Sequence, residues 1–306
     1  MPPHYKQAIT TFAKQRQTIL SSIKPLQQGL SNTHFLLHFQ NSERWVVKCA
    51  KGYVANGLRK EAKTYTLLQE TELHLDSFLQ TKGTAAESNC LFVRYVQGQK
   101  IHTWSPPILE ELALALKEIH HISTPFAGNV LNPTKAKLTP HLELQKRARL
   151  MRTQIKKETP RFERIFDHVL TILASNQTHF HEITEFSLLH GDIHYENLIV
   201  DSGGSLKLID WERSQFGDRA FDLALINWHA QECIVDTDAQ QQLLSLYATS
   251  QEERVTLASR VACWTLFRLV SDYLFLRRFN FLSHKYESFF LEIERLISQY
   301  VEVNRR

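Results

Sequence analysis

The stretch that most constrains this chain is residues 188–212, LLHGDIHYENLIVDSGGSLKLIDWE. NLIV and LKLI read as two short apolar strands around Asp201-Ser202-Gly203-Gly204, a turn that suits a tight hairpin. A hairpin fixes its open end as firmly as its turn. Asn197 lies about six residues before the turn centre and Asp210 about six or seven after it, so the pairing predicts them side by side. Asp192, on the loop entering the first strand, is expected at the same point. Two carboxylates and an amide then converge.

That set has a chemical use. Moving a phosphoryl group needs a metal ion on the phosphate oxygens and a carboxylate to accept or orient the proton of the attacking hydroxyl. Mg²⁺ takes hard oxygens, usually one or two from the protein with the rest from phosphate and water. The order H-x-D-x-x-x-x-N followed by a second Asp beyond a hairpin supplies these parts. Here it reads His190-Gly191-Asp192-Ile193-His194-Tyr195-Glu196-Asn197, then Leu208-Ile209-Asp210-Trp211-Glu212. The bland alternative is ordinary turn chemistry, since Asp and Asn favour loops. Order and spacing together favour the chemical reading. His190 is expected to bond backbone around its loop, and His194 to pack in the loop or touch substrate.

The rest of the 306 residues organises around this segment. Residues 33–50 read as two strands about a turn at Asn41–Glu43. Leu58, Ala62, Tyr65 and Leu68 recur at helical spacing, predicting a helix over 57–70. Residues 81–89 read as loop and 90–96 as a buried strand ending at Gln97-Gly98. After Gly98 the pattern turns helical. Ser105-Pro106-Pro107 opens a helix with Ile108, Leu112, Ala115 and Ile119 on one face. A helix is expected across 141–175, and Ser250-x-x-Glu253 and Asp238-x-x-Gln241 read as caps. The expected division is therefore 1–98, a small sheet with one helix, and 99–306, mainly helical.

HGD, IDWE and the downstream Gly217-Asp218-x-x-x-Asp222-Leu223-Ala224 resemble the aminoglycoside phosphotransferase and choline kinase superfamily, small-molecule kinases of protein-kinase-like fold. Gly29-Leu30-Ser31-Asn32-Thr33-His34-Phe35 resembles its nucleotide loop, and Trp45-Val46-Val47-Lys48 the strand of its phosphate-binding lysine. Glu61 sits where that lysine's partner lies. Phe92 to Gly98 resembles the hinge between lobes, with Arg94, Tyr95 and Val96 at its centre, and Leu112 to His120 the helix that follows. These landmarks run in order from 29 to 224. The sub-family look is that of bacterial thiamine kinase and choline kinase, from LKLIDWE and the Trp- and Phe-rich segment after it. Two features depart from the pattern: Tyr195-Glu196 stands where Pro-Gly is common, and the nucleotide loop has one glycine.

The resemblance implies an α+β, bilobal, protein-kinase-like fold with a small β-sheet N-lobe, a larger mainly helical C-lobe and ATP between them. Asp192 would be the catalytic base. Asn197 and Asp210 would hold Mg²⁺. Ser31, Asn32, Lys48, Glu61, Arg94, Tyr95 and Val96 would serve the nucleotide. Asp222 would hold the catalytic loop through backbone hydrogen bonds. Glu212, Trp228 and Trp264 would line the acceptor site. Trp211, Trp228, Trp264, Phe267 and Tyr273 form either an aromatic cage for a cation or plain core. On the cage reading the acceptor is a small cationic alcohol, thiamine or choline. An aminoglycoside or sugar acceptor, or an inactive kinase-like binding module, stands beside it.

Composition narrows the rest. Lys plus Arg is 36 against 32 for Asp plus Glu, too mild an excess to imply nucleic acid or membrane as partner. Eight basic residues fall within 146–164 against Glu158 and Glu163, which reads as a solvated helix face. No D-F-G or A-P-E follows Asn197, and Asp210 to Asp222 leaves little room for an activation loop, which argues against a protein kinase. Cys49, Cys90, Cys233 and Cys263 form no CxxC pair. With no apolar h-region at the N-terminus and no run of about 18 apolar residues, the expected location is the cytoplasm.

Overall fold

The computed structural model describes residues 1–26, 32–50, 55–80, 90–133, 150–155, 159–181, 183–226, 235–278 and 286–303. The chain divides into two compact units. The first holds 1–99, 129–132 and 199–214; the second holds 100–128, 133–198 and 215–306. Residues 199–214 group with the first unit although they lie far along the chain.

The first unit is built on an antiparallel sheet of β1 (Leu20–Pro25), β2 (Asn32–Phe39), β3 (Arg44–Ala50), β4 (Ser77–Gln80) and β5 (Cys90–Arg94), in the order β1-β2-β3-β5-β4. Alternation along the strands sends Phe35, Leu37, Phe39, Trp45, Val47, Cys49 and Phe92 into one core. Helix α1 (Pro3–Gln15) closes that core with Tyr5, Ala8, Ile9 and Phe12, an i, i+3, i+4, i+7 stripe. The Phe12 ring stacks on Phe92 at 4.0 Å. Burial of Phe12 and of Ile9 contributes about 1.5–3 kcal/mol each. Lys48 lies between Val47 and Cys49 on β3, so the same alternation sends it to the opposite face, towards α2 (Ala55–Leu67).

Strand β6 (Gly98–Lys100) runs beside the predicted hairpin. A Cβ at Gly98 would lie 2.2 Å from the Val200 carbonyl oxygen, so the close approach needs glycine.

In the second unit α3 (Pro106–His121) buries Leu109, Leu112, Ala113, Ala115, Leu116 and Ile119, leaving Ile108 half-buried at the rim. The short strands β7 (Ser123–Thr124), β8 (Gly128–Asn129) and β9 (Phe186–Leu189) follow. The hairpin of the first unit is β10 (Leu198–Asp201) and β11 (Leu206–Leu208), within a residue of the expected bounds. Asp201 Oδ1 accepts the N–H groups of Gly203 and Ser205, which ties its turn. Strand β12 (Gln215–Gly217) returns antiparallel to β9.

One expected helix is broken. Residues 150–155 are helical, but α4 (Pro160–Ser175) begins anew, with Thr159 extended and its side chain accepting the Phe162 N–H. Proline forces the residue before it out of the helical region. The parts of that expected helix over 141–149 and 156–158 lie outside the described residues. Then come α5 (Ala220–Leu223), α6 (Thr237–Tyr247), α7 (Gln251–Arg278) and α8 (Tyr286–Val303). Asp236, two residues before the expected Asp238, caps α6 by accepting from Ala239 N–H at 2.9 Å. Ser250 does cap α7, taking the Glu253 N–H at 3.1 Å. Among the described residues no helix is long and apolar enough to cross a membrane.

Candidate active site

In the first unit three charged side chains meet. Lys48 Nζ donates to both oxygens of Glu61, at 2.8 and 2.9 Å, and to Asp210 Oδ1 at 2.7 Å. Glu61 is fully buried, Lys48 is 8% exposed, and the Asp210 side chain is about a third open at 32%. Burial alone would push the Lys48 ammonium down; the Asp210 and Glu61 carboxylates outweigh it and hold the pKa well above the usual lysine range. Burial pushes the Glu61 carboxyl up, Lys48 pulls it back, and Asp210 adds to the rise. Glu61 thus orients Lys48, while Asp210 keeps one side open to solvent.

Asp210 has φ 68° and ψ 62°, a left-handed conformation that costs a non-glycine residue about 1–3 kcal/mol and persists only where its surroundings impose it. The surroundings do. Trp211 is fully buried, with its indole N–H on the Leu208 carbonyl at 3.1 Å. The hydroxyls of Ser214 and Thr64 lie 2.6 Å apart, both buried. Asn32 Nδ2 donates to Glu212 Oε2 at 2.9 Å.

In the second unit the loop after β9 carries Asp192. Asp222, fully buried, accepts the N–H of His190 at 2.6 Å and of Gly191 at 2.9 Å. Gly191 has φ 81°, so glycine is needed where the loop turns. Burial would raise the Asp222 pKa; the hydrogen bond and charge of His120, the charge of His190 and the Gly191 N–H hold it below the usual carboxylate value. His190 Nδ1 accepts the Asp192 N–H at 3.2 Å. His194 is buried in the loop, with Nδ1 accepting the Glu196 N–H and Nε2 3.6 Å from Asp192 Oδ2.

Asn197 Nδ2 donates to the Asp192 carbonyl at 3.0 Å. With Nδ2 on that carbonyl and 3.0 Å from His194 Nε2, Oδ1 is the hard oxygen a Mg²⁺ ion would take. Among the described residues no group of three or more His, Cys, Asp or Glu side chains could cage a metal. Asp210 Oδ2 in the first unit and Asn197 Oδ1 in the second are each the kind of oxygen taken by an ion that uses few protein ligands and draws the rest from phosphate and water.

Other expected residues fare differently. Arg94 pairs with Glu43 at 2.8 Å and covers the Trp45 ring, and its own N–H is spent on the Asp76 carbonyl. The Tyr95 N–H is likewise spent on the Arg44 carbonyl, with the Arg44 guanidinium over its ring. Neither of these two amides can serve a nucleotide base while those bonds stand. Val96 is half-buried. Ser31 and Trp228 lie outside the described residues.

Trp264 corrects the aromatic expectation. It is 4% exposed, packed against Phe180, Phe221 and Phe267, with its indole N–H on Asp218 at 2.8 Å. Trp211, Phe267 and Tyr273 are equally interior. Helical spacing along α7 put Trp264, Phe267 and Tyr273 on the inward face, where burial is worth more than an exposed cation face. A cavity of about 740 Å³ in the second unit is lined by His120, Glu185, Asp218, Arg219, Glu253 and Arg260 among others, and by no residue from 188 to 217. His120, Thr64 and Ser214 are parts of the two frames that the sequence did not single out; their partners are 102 and 150 positions away, beyond any local pattern.

A family model described as the phosphotransferase enzyme family matches residues 22–251, three-quarters of the chain. The chain belongs to this family. A thiamine kinase of Escherichia coli O6:K15:H31 (strain 536 / UPEC) is 42% identical over 67 residues, a match covering 22% of this chain and 22% of that protein. The chain thus matches about a fifth of the length of its curated relatives. A choline kinase from Streptococcus pneumoniae superposes with a TM-score of 0.63 at 19% identity, over 97% of this chain and 100% of that one. The GDP complex of wild-type aminoglycoside 2'-phosphotransferase-IIIa gives 0.69 at 15% identity, over 98% and 100%. The fold of this phosphotransferase family member is accordingly the expected α+β, protein-kinase-like one, with a small sheet unit and a larger, mainly helical unit.

Proposed function

We propose that this protein is an ATP- and Mg²⁺-dependent kinase that phosphorylates a hydroxyl of a small molecule. The observation that carries this is Lys48 clamped between buried Glu61 and partly open Asp210, the arrangement a phosphate-binding lysine and metal-binding carboxylate require. The reading divides the work between a nucleotide lobe, 1–98, joined by the Asp210 segment 199–214, and an acceptor lobe in the rest of 99–306. Asp192 takes the acceptor's hydroxyl proton as its oxygen bonds to the γ-phosphorus and the bond from that phosphorus to ADP breaks. Lys48 pairs with phosphate oxygens, Glu61 orients it, Ser31 serves the same phosphates, and Asn32 acts on them through its bond to Glu212. Asn197 and Asp210 hold Mg²⁺, which when bound neutralises the charge on those phosphates.

The acceptor we favour is a cationic alcohol, thiamine ahead of choline. Support comes from the thiamine kinase match and not from the described aromatics, which are core. The reading places the protein in a reducing compartment such as the cytoplasm, where Cys49, Cys90 and Cys263 stay as thiols. The test is turnover of purified protein with ATP and Mg²⁺ across thiamine, choline, ethanolamine, kanamycin and simple sugars. Thiamine or choline well above the rest is expected. Preference for kanamycin or a sugar would overturn the acceptor, and no ATP turnover with any acceptor would overturn the kinase.

A further inference from the structure

Asn32 and Glu212 belong to different parts of the expected machinery, one to the nucleotide and one to the acceptor. The structure joins them. Asn32 opens β2 and is 1% exposed; its Nδ2 donates to Glu212 Oε2 at 2.9 Å. Glu212 stands two residues beyond Asp210, whose left-handed backbone places it against Lys48. The slot it occupies is made by an absence: a Cβ on Gly57 of α2 would lie 3.3 Å from Glu212 Cβ and 3.4 Å from Oε2. Two residues further on, Ser214 is fastened to Thr64 of the same helix. The segment after Asp210 is thus held at one point on β2 and at another on α2.

We infer that Glu212 is a positioning residue for the nucleotide side of the reaction and not an acceptor contact. Its carboxylate holds the start of β2 in fixed register with the turn that carries Asp210. A hydrogen bond to a charged, partly buried acceptor is strong enough to set that register. Loss of the bond lets the Lys48–Asp210 arrangement and the entry to β2 shift independently. This inference rests on the kinase reading.

The test exchanges the two groups. Asn32→Asp sets carboxylate against carboxylate; Glu212→Gln keeps an oxygen that can accept from Asn32; the double variant lets the new amide at position 212 donate to the new carboxylate at position 32. ATP affinity is measured directly by calorimetry in Mg²⁺, with KM for ATP, KM for the best acceptor of the panel, and melting midpoints for all four proteins. For Asn32→Asp we expect ATP affinity weakened about tenfold or more, the scale of one charge-assisted bond, with acceptor KM within about twofold. For Glu212→Gln the loss should be milder, and the double variant should recover to within about threefold of wild type. A double variant as weak as Asn32→Asp would overturn the inference, as would a rise in acceptor KM with ATP affinity unmoved. Wild-type protein that binds no ATP would overturn the kinase reading itself, and is told apart because the fault then appears before any substitution.

Discussion

Asp222 receives the Gly191 N–H at 2.9 Å from a position with no solvent exposure, while its other oxygen takes the His190 N–H. One carboxylate therefore shapes the loop that carries Asp192, from 30 residues further along the chain. It touches neither acceptor nor nucleotide in the proposed reaction. Its effect is on where Asp192 sits.

Stability should carry the signature of Asp222. Its pKa is depressed in the folded state, so its contribution is full above the unfolded value, about 4, and fades as pH falls through the folded one. Asp222→Asn should lose about 3 kcal/mol at neutral pH, the scale of breaking a buried charged network. The gap to wild type should narrow on acidification towards pH 3. Denaturant unfolding at several pH values checks this, and a pH-independent gap would remove Asp222 from the role.

Lys48→Ala should cut kcat/KM for ATP by about 100-fold, as expected for a lost electrostatic contact in a catalytic site. Glu61→Gln should act more mildly, because Glu61 reaches the phosphates only through Lys48. Steady-state kinetics on both variants decides. If Glu61→Gln proves the more damaging, the direct and indirect roles are reversed.

Asp192→Asn should lower kcat by about 100-fold or more, within the range of a lost general base, while ATP affinity stays near wild type. Asp192 is assigned to the acceptor's hydroxyl and not to the nucleotide. A variant keeping above about a tenth of the wild-type rate would take the base role away from it.

Asp210→Asn keeps a residue that tolerates the left-handed backbone while removing the charge. The gain in nucleotide affinity on adding Mg²⁺ should fall at least about tenfold, the scale of one charge-assisted contact. Titration of ATP with and without the metal measures it. An unchanged gain would show that the ion is held elsewhere.

Much of this was legible in the chain because its cues are local. The β10–β11 hairpin follows from Asp201-Ser202-Gly203-Gly204 between apolar runs, and the backbone there needs nothing distant. The Lys48–Glu61 ion pair, 13 residues apart, is expected from the family resemblance, which puts Glu61 where that lysine's partner lies. Helix α1 also had a readable stripe in Tyr5, Ala8, Ile9 and Phe12, yet its four inward positions gain meaning only beside the sheet face they cover. The break at Thr159-Pro160 is readable from the proline, which the expected helix over 141–175 runs through.

The sequence by itself determined the order of the parts: a strand with Lys48, a helix with Glu61, a loop with Asp192 and Asn197, a hairpin ending at Asp210. Periodicity and turn chemistry act over a few residues, and that is enough to specify such elements. Only the tertiary structure decided what each polar or aromatic side chain faces. It turned Arg94 onto Glu43, sank Trp264 among Phe180, Phe221 and Phe267, and gave Glu212 to Asn32, 180 positions away. Those outcomes depend on which surfaces lose water and which buried groups must find partners. A linear pattern does not contain that competition until the chain has closed on itself.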